Sequence, residues 1–277
     1  MKTKLVMDSS CDRYEFEGID FQSVPMKITA GERAFVDDEN LDLKDMTAYL
    51  LTYSGKSSTA CPGVGEYIAS FGDYDIVYVV TITSNLSGSY NSAKVAAEQY
   101  MEEHPGRRVY VFDSLSTGPE LVILGEKIIE CINAGMEFDE LVKTVLDYHE
   151  TIRTVYALES LRNLVNNGRV PAAIAKIADV LNIRMVGIAS DEGTLKAVGK
   201  ARGSKKVPAE LFRYMTSNGY TGGKVRISHC FNEESANKVR EIILASFPDA
   251  DITIAQAHGL DCFYAETGGV LVAYEHL

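Results

Sequence analysis

The sequence predicts an α/β fold in two parts. Three observations carry this. Helical spacing alternates with short strand-like runs along the whole chain. The runs DIVYVV (Asp75 to Val80) and VYVFD (Val109 to Asp113) are apolar at successive positions, as in strands covered on both faces of a parallel sheet. The strand–helix rhythm then resets near residues 150–160. The expected division is a parallel-sheet domain over 1–155 and a mixed α/β domain over 156–277. A length of 277 residues with 46% apolar content is ample for both cores.

Taken in order, Lys4 to Met7 reads as a first strand, and Gly18 to Val36 as strands and turns. Leu43 to Thr52 has helical spacing. Ser and Thr in KSSTACPG precede Pro62 and a short amphipathic helix. A helix from Ser89 to Glu103 follows the strand DIVYVV. Helices over Leu121 to Ala134 and Asp139 to Thr151 follow VYVFD. In the second part Thr154 to Ser160 is strand-like, and Leu161 to Val165 and Ala172 to Leu181 are helical. RMVGIASDEGTLKAVGKA reads as a hairpin around Asp-Glu-Gly. Lys206 to Ser217 is helical, Lys224 to Cys230 a strand, and Glu233 to Ser246 a helix capped by Asn232. DITIAQA and GGVLVAYE complete the pattern.

Composition excludes several functions. A net charge of -12 argues against nucleic acid as a partner, which needs a basic face. No apolar run is long enough for a membrane span or a signal peptide. Five scattered cysteines without CxxC fit a reduced, cytoplasmic chain. Five histidines with no ligand spacing give no expected metal site.

Four strand ends share one polar composition: DSSC (Asp8 to Cys11), SSTACPG (Ser57 to Gly63), TITSNLSGS (Thr81 to Ser89) and DSLSTG (Asp113 to Gly118). On a parallel sheet such ends share one edge, where α/β proteins bind ligands. Helix N-termini there favour an anion. No Lys or Arg lies in these stretches, and neither phosphate-binding glycine motif is present. One carboxylate held by hydroxyls and N–H groups fits better than a polyphosphate. Singly, each serine reads as a cap or turn former; together the loops read as a site. Asp8 and Asp113 read as loop caps, and Cys61 as a small buried thiol. No GxSxG elbow marks a catalytic serine. Arg169, and the cluster Lys196, Lys200, Arg202, Lys205 and Lys206, form either a solvated surface or a patch for a phosphate or an acidic partner.

Together these stretches resemble the DegV family. SSTACPG resembles its first motif, TITSNLSGSYNSA its central loop and FDSLSTGPE its third. LRNLVNNGRV and GTLKAVGKARGSKK resemble its two later segments. The resemblance implies two α/β domains enclosing a lipid tunnel, with a long-chain fatty acid as the bound ligand and no cofactor. It implies a non-catalytic carrier that presents the carboxyl group to a separate fatty-acid kinase, with transient membrane contact. It places Thr59, with Ser58 beside it, and Ser87 with Gly88 at the carboxylate. It places Arg169 and Arg202 near the head group, facing the partner. Three positions depart from the family pattern: Tyr264, followed by Glu266, stands where a His is common, Gly63 replaces a Ser, and Arg184-Met185 replaces Lys-Pro. Tyr264 retains a hydroxyl donor for a carboxylate. The alternative is a Ser- or Cys-dependent hydrolase or acyl-transfer enzyme using Ser87 or Cys61.

Overall fold

A computed structural model describes residues 1–171 and 183–276. The expected helix over 172–181 lies outside the described residues. Strands β1 (Thr3–Asp8), β2 (Asp20–Val24), β6 (Ile76–Thr81) and β7 (Arg108–Asp113) form an all-parallel sheet in the order β2-β1-β6-β7. Alternate side chains divide between its faces. Leu5, Met7, Tyr78, Val80 and Phe112 pack against helices α4 (Pro119–Asn133) and α5 (Phe138–His149). Val6, Val77, Val79, Val109 and Val111 pack against α2 (Val64–Phe71) and α3 (Ser89–Glu103). Burial on both sides explains the unbroken apolar runs.

A correction concerns the polar stretches. Three of them, after β1, β6 and β7, lie on the carboxyl edge of this sheet. The fourth does not. Ser57–Ala60 is itself a strand, β5, in a separate antiparallel sheet with β3 (Lys27–Ala30) and β4 (Arg33–Val36). Helix α1 (Leu43–Thr52) connects the two hairpin strands to β5.

The second part is a six-stranded mixed sheet in the order β10-β9-β8-β13-β11-β12. Its strands are β8 (Ile152–Leu158), β9 (Ile183–Ala189), β10 (Leu195–Arg202), β11 (Lys224–His229), β12 (Asp251–Gln256) and β13 (Val270–Glu275). The hairpin closes where Ser190 N–H donates to Thr194 O at 2.8 Å. Helices α7 (Val207–Ser217) and α8 (Glu233–Ser246) cover one face. The other face meets the first half through α4, the short α6 (Arg162–Asn166) and α9 (Gly259–Ala265). Helix α9 was not legible in the sequence, because it is nearly all buried and so has no polar stripe. No helix among the described residues is long and apolar enough to cross a membrane.

Two buried polar seams join the halves. At one, Arg226 of β11 bonds Glu126 of α4 through Nε at 2.7 Å and Nη2 at 2.8 Å, and also Asp251 at 2.8 Å. At the other, two carboxylates hold the start of α9. Asp37 accepts from Gly259 N–H and Leu260 N–H at 2.7 and 2.9 Å, and Asp12 accepts from His258 N–H at 2.6 Å. Burial, with the Asp12 charge adding to it, favours the protonated form of Asp261.

Burial, with the Asp37 charge adding to it, lifts the Asp12 pKa to about 7. Burial lifts Asp37 to about 6 and Asp261 well above the carboxylate range. Arg13 opposes the shift at Asp12. These values lie above the unfolded value of about 3.9, so the folded chain binds more protons in between. The stabilisation is full below about pH 4 and is lost as pH rises towards about pH 7. Asp261→Asn is expected to flatten this dependence, gaining stability over the parent near pH 8 and little near pH 5. Urea midpoints at the two pH values measure it; an unchanged pH dependence in the variant contradicts a protonated Asp261.

Candidate functional site

The carboxyl edge of the parallel sheet is built by its own polar side chains. Asp8 is fully buried and accepts from Ser10 Oγ and Ser89 Oγ at 2.5 Å and from Ile82 N–H at 3.0 Å. Its pKa is raised by burial, against these hydrogen bonds. Asp113 accepts from Ser84 N–H and Leu115 N–H, both at 3.1 Å. Both aspartates thus organise loops, as their positions at strand ends suggested. Thr83 Oγ1 donates to Gly193 O at 2.9 Å, which ties the central loop to the β9–β10 turn. Glycine is required there: φ is +72°, and a Cβ would lie 2.2 Å from Thr83 Oγ1.

These loops wall a cavity of about 290 Å³ between the halves. Its interior is mainly apolar, with Met26, Ile82, Leu158, Leu164, Leu195 and Leu271 among its walls. Several polar side chains share the lining. Thr59 Oγ1 and Tyr264 OH lie 2.7 Å apart, joining β5 to α9. Burial raises the Tyr264 pKa, so the phenol stays a neutral donor. Ser87 and Gly88 also line the cavity, at the start of α3. There the first N–H groups of a helix point outward. Arg169 lines it too, held by bonds from Nε to Leu86 O at 3.2 Å and from Nη1 to Asn167 O at 2.7 Å.

Five of the seven expected residues therefore share one cavity: Thr59, Ser87, Gly88, Tyr264 and Arg169. Two do not. Ser58 is exposed, because strand alternation turns it away from the face that Thr59 occupies. Arg202 is exposed at the end of β10, outside the described lining, as are Lys196, Lys200, Lys205 and Lys206. Glu266 does not reach the lining either. It accepts from Ser160 Oγ at 2.6 Å and lies 3.7 Å from Arg162 Nε. Arg184 pairs with Glu159.

Sequence reasoning missed Cys61 as a wall residue; it is half-buried there rather than in a core. It also missed Asp261, which lines the cavity and accepts from Thr117 Oγ1 at 2.9 Å. No histidine is among the described lining residues, and no group of three or more His, Cys, Asp or Glu among the described residues is placed to hold a metal. All five cysteines are free thiols.

Comparison with known proteins adds the following. The family model described as "Uncharacterised protein, DegV family" matches residues 2–275. A DegV domain-containing protein of Streptococcus pneumoniae is 39% identical over 279 aligned positions, covering 99% of both chains. A DegV family protein from Eubacterium eligens, crystallised with heptadecanoic acid, has a TM-score of 0.97 at 41% identity, covering 99% of this chain and 100% of that one. The Streptococcus pneumoniae Fatty Acid Kinase (Fak) B3 protein, loaded with linoleic acid, has a TM-score of 0.98 at 39% identity over the whole of both chains.

Proposed function

We propose, on the premise that the chain belongs to the DegV family, that it is a fatty-acid carrier. It holds a long-chain fatty acid by the carboxylate and presents that group to a separate kinase. One observation carries the reading: a mainly apolar cavity whose lining includes Thr59, Tyr264, Ser87 and Arg169, with the Thr59 and Tyr264 hydroxyls 2.7 Å apart. The Thr59–Tyr264 bond uses one of that pair's two hydrogens, which leaves the other, with the Ser87 hydroxyl, to donate to a carboxylate. The acyl chain supplies the affinity, at roughly 0.8 kcal/mol per buried CH₂, on the order of 10 kcal/mol before association costs. The polar end fixes orientation.

The related structures with heptadecanoic and linoleic acid support the ligand class, and the Fak B3 relative supports a kinase partner. Acyl-phosphate formation then belongs to that partner, and the chain itself turns nothing over. The exposed basic stretch from Lys196 to Lys206 is where contact with the kinase or a membrane surface falls. Five free thiols fit a reducing compartment, the cytoplasm. The hydrolase reading needs a base beside its nucleophile. Ser87 Oγ only accepts from Ser89 N–H, at 3.3 Å, and nothing favours that reading.

Mass spectrometry of the purified, denatured chain tests the carrier reading. A co-purifying fatty acid is expected, or uptake of one palmitate or oleate per chain. Absence of both overturns it. Acyl phosphate appearing without an added kinase would overturn the division of labour.

A further inference from the structure

A second compartment adjoins the cavity. Strand β8 lends it Thr154, Tyr156 and Leu158, alternate residues on one face. Ile152, next on that face, lines a second compartment together with Thr154. Leu115 and Ala189 are shared by both compartments in the same way. The second space, of about 260 Å³, therefore adjoins the first at Leu115, Thr154 and Ala189. None of the carboxylate-holding residues lines it, so it lies away from the head group.

Its chemistry is the reverse of the first. Glu120, His149, Glu150, Arg153, Ser190 and Asp191 surround it. Two of its polar groups are fixed and buried: Glu120 is 4% exposed and Thr154 2%. Thr154 Oγ1 donates to Glu120 Oε2 at 2.6 Å. His149 Nε2 lies 2.9 Å from Ser114 O and 3.2 Å from Glu120 Oε1, so that nitrogen carries a hydrogen. Burial disfavours the imidazolium, but the bond to Glu120 and its charge outweigh burial and raise the His149 pKa. Leu115, on the boundary, sits at φ +51°, and Asp113 accepts its N–H there. A leucine in the left-handed region is strained and persists only where its surroundings impose it.

We infer that the cavity takes fatty acids bearing a hydroxyl at the end remote from the carboxylate, seated beside Thr154, Glu120 and His149. Three carboxylates face one guanidinium and one imidazole in this compartment, so a second anion is unsuited. A neutral group that both donates and accepts fits the mixture. Against an apolar wall alone, a terminal hydroxyl would lose its hydrogen bonds, at a cost of roughly ten- to a hundred-fold in affinity. The inference rests on the carrier reading above.

The experiment compares plain acids with their terminally hydroxylated counterparts, from dodecanoic to octadecanoic acid, by competition on the full chain. For at least one length, the hydroxylated acid is expected to bind within a few-fold of the plain one. His149→Leu should then shift the ratio against it by roughly tenfold. Thr154→Val, which preserves shape, should shift the ratio the same way if His149→Leu fails to fold. A penalty of tenfold or more at every length, or ratios unmoved by the variants, overturns the inference while plain acids still bind. Failure of plain acids to bind overturns the carrier reading itself, and this inference with it.

Discussion

A chain carrying Thr59→Val and Ser87→Ala is expected to lose about 3–5 kcal/mol of affinity for a long-chain fatty acid, roughly one hundred- to several thousand-fold in Kd. Hydrogen bonds to a charged acceptor contribute roughly 1.5–3 kcal/mol each. Valine keeps the shape of threonine, and Ser87 is only half-buried, so the fold should persist. The Tyr264 phenol loses its partner at 2.7 Å but remains a donor. The effect should therefore fall short of full additivity. Titration with oleate, alongside a urea midpoint to check folding, measures it. Affinity equal to the parent's would remove these two hydroxyls from the carboxylate.

The second large effect is on stability. Arg226→Met is expected to destabilise the chain by about 3 kcal/mol, read as a lower urea midpoint at unchanged slope. Arg226 is 6% exposed and pairs in a fork with Glu126. Removing it leaves Glu126 partly buried with Lys224, at 3.3 Å, as its remaining ion-pair partner among the described residues. The loss sits at the low end of the range for a broken buried pair, because that lysine remains. Arg226→Met with Glu126→Leu should recover much of it, since an apolar pair carries no desolvation penalty. A double variant no better than the single would mean that packing, not charge, holds α4 to β11.

Much of the fold was legible because its signals are local. The helices Leu43–Thr52, Ser89–Glu103 and Glu233–Ser246 match their expected bounds, each with a clear polar face or cap. β5 was missed because SSTA alternates half-buried with exposed residues and carries no apolar pattern. Within the candidate site, strand ends and helix starts pointed to the polar stretches, and the family resemblance, by motif position, to Thr59 and Ser87. The facing of Ser58 was misread because alternation matters only once a strand is recognised. Asp261 could not be read, because its partners Asp12 and Thr117 are remote in sequence and only tertiary packing brings them to it.

The same long reach bears on when the protein acquires its site during synthesis. The parallel sheet is complete once Asp113 has emerged, so it can form early. The cavity cannot. Thr59 waits for Tyr264, and the walls wait for Leu271. A nascent chain therefore carries a folded first half with an unroofed apolar floor. Chaperones would meet that floor on the ribosome before any lipid does, and ligand capture belongs to the finished chain.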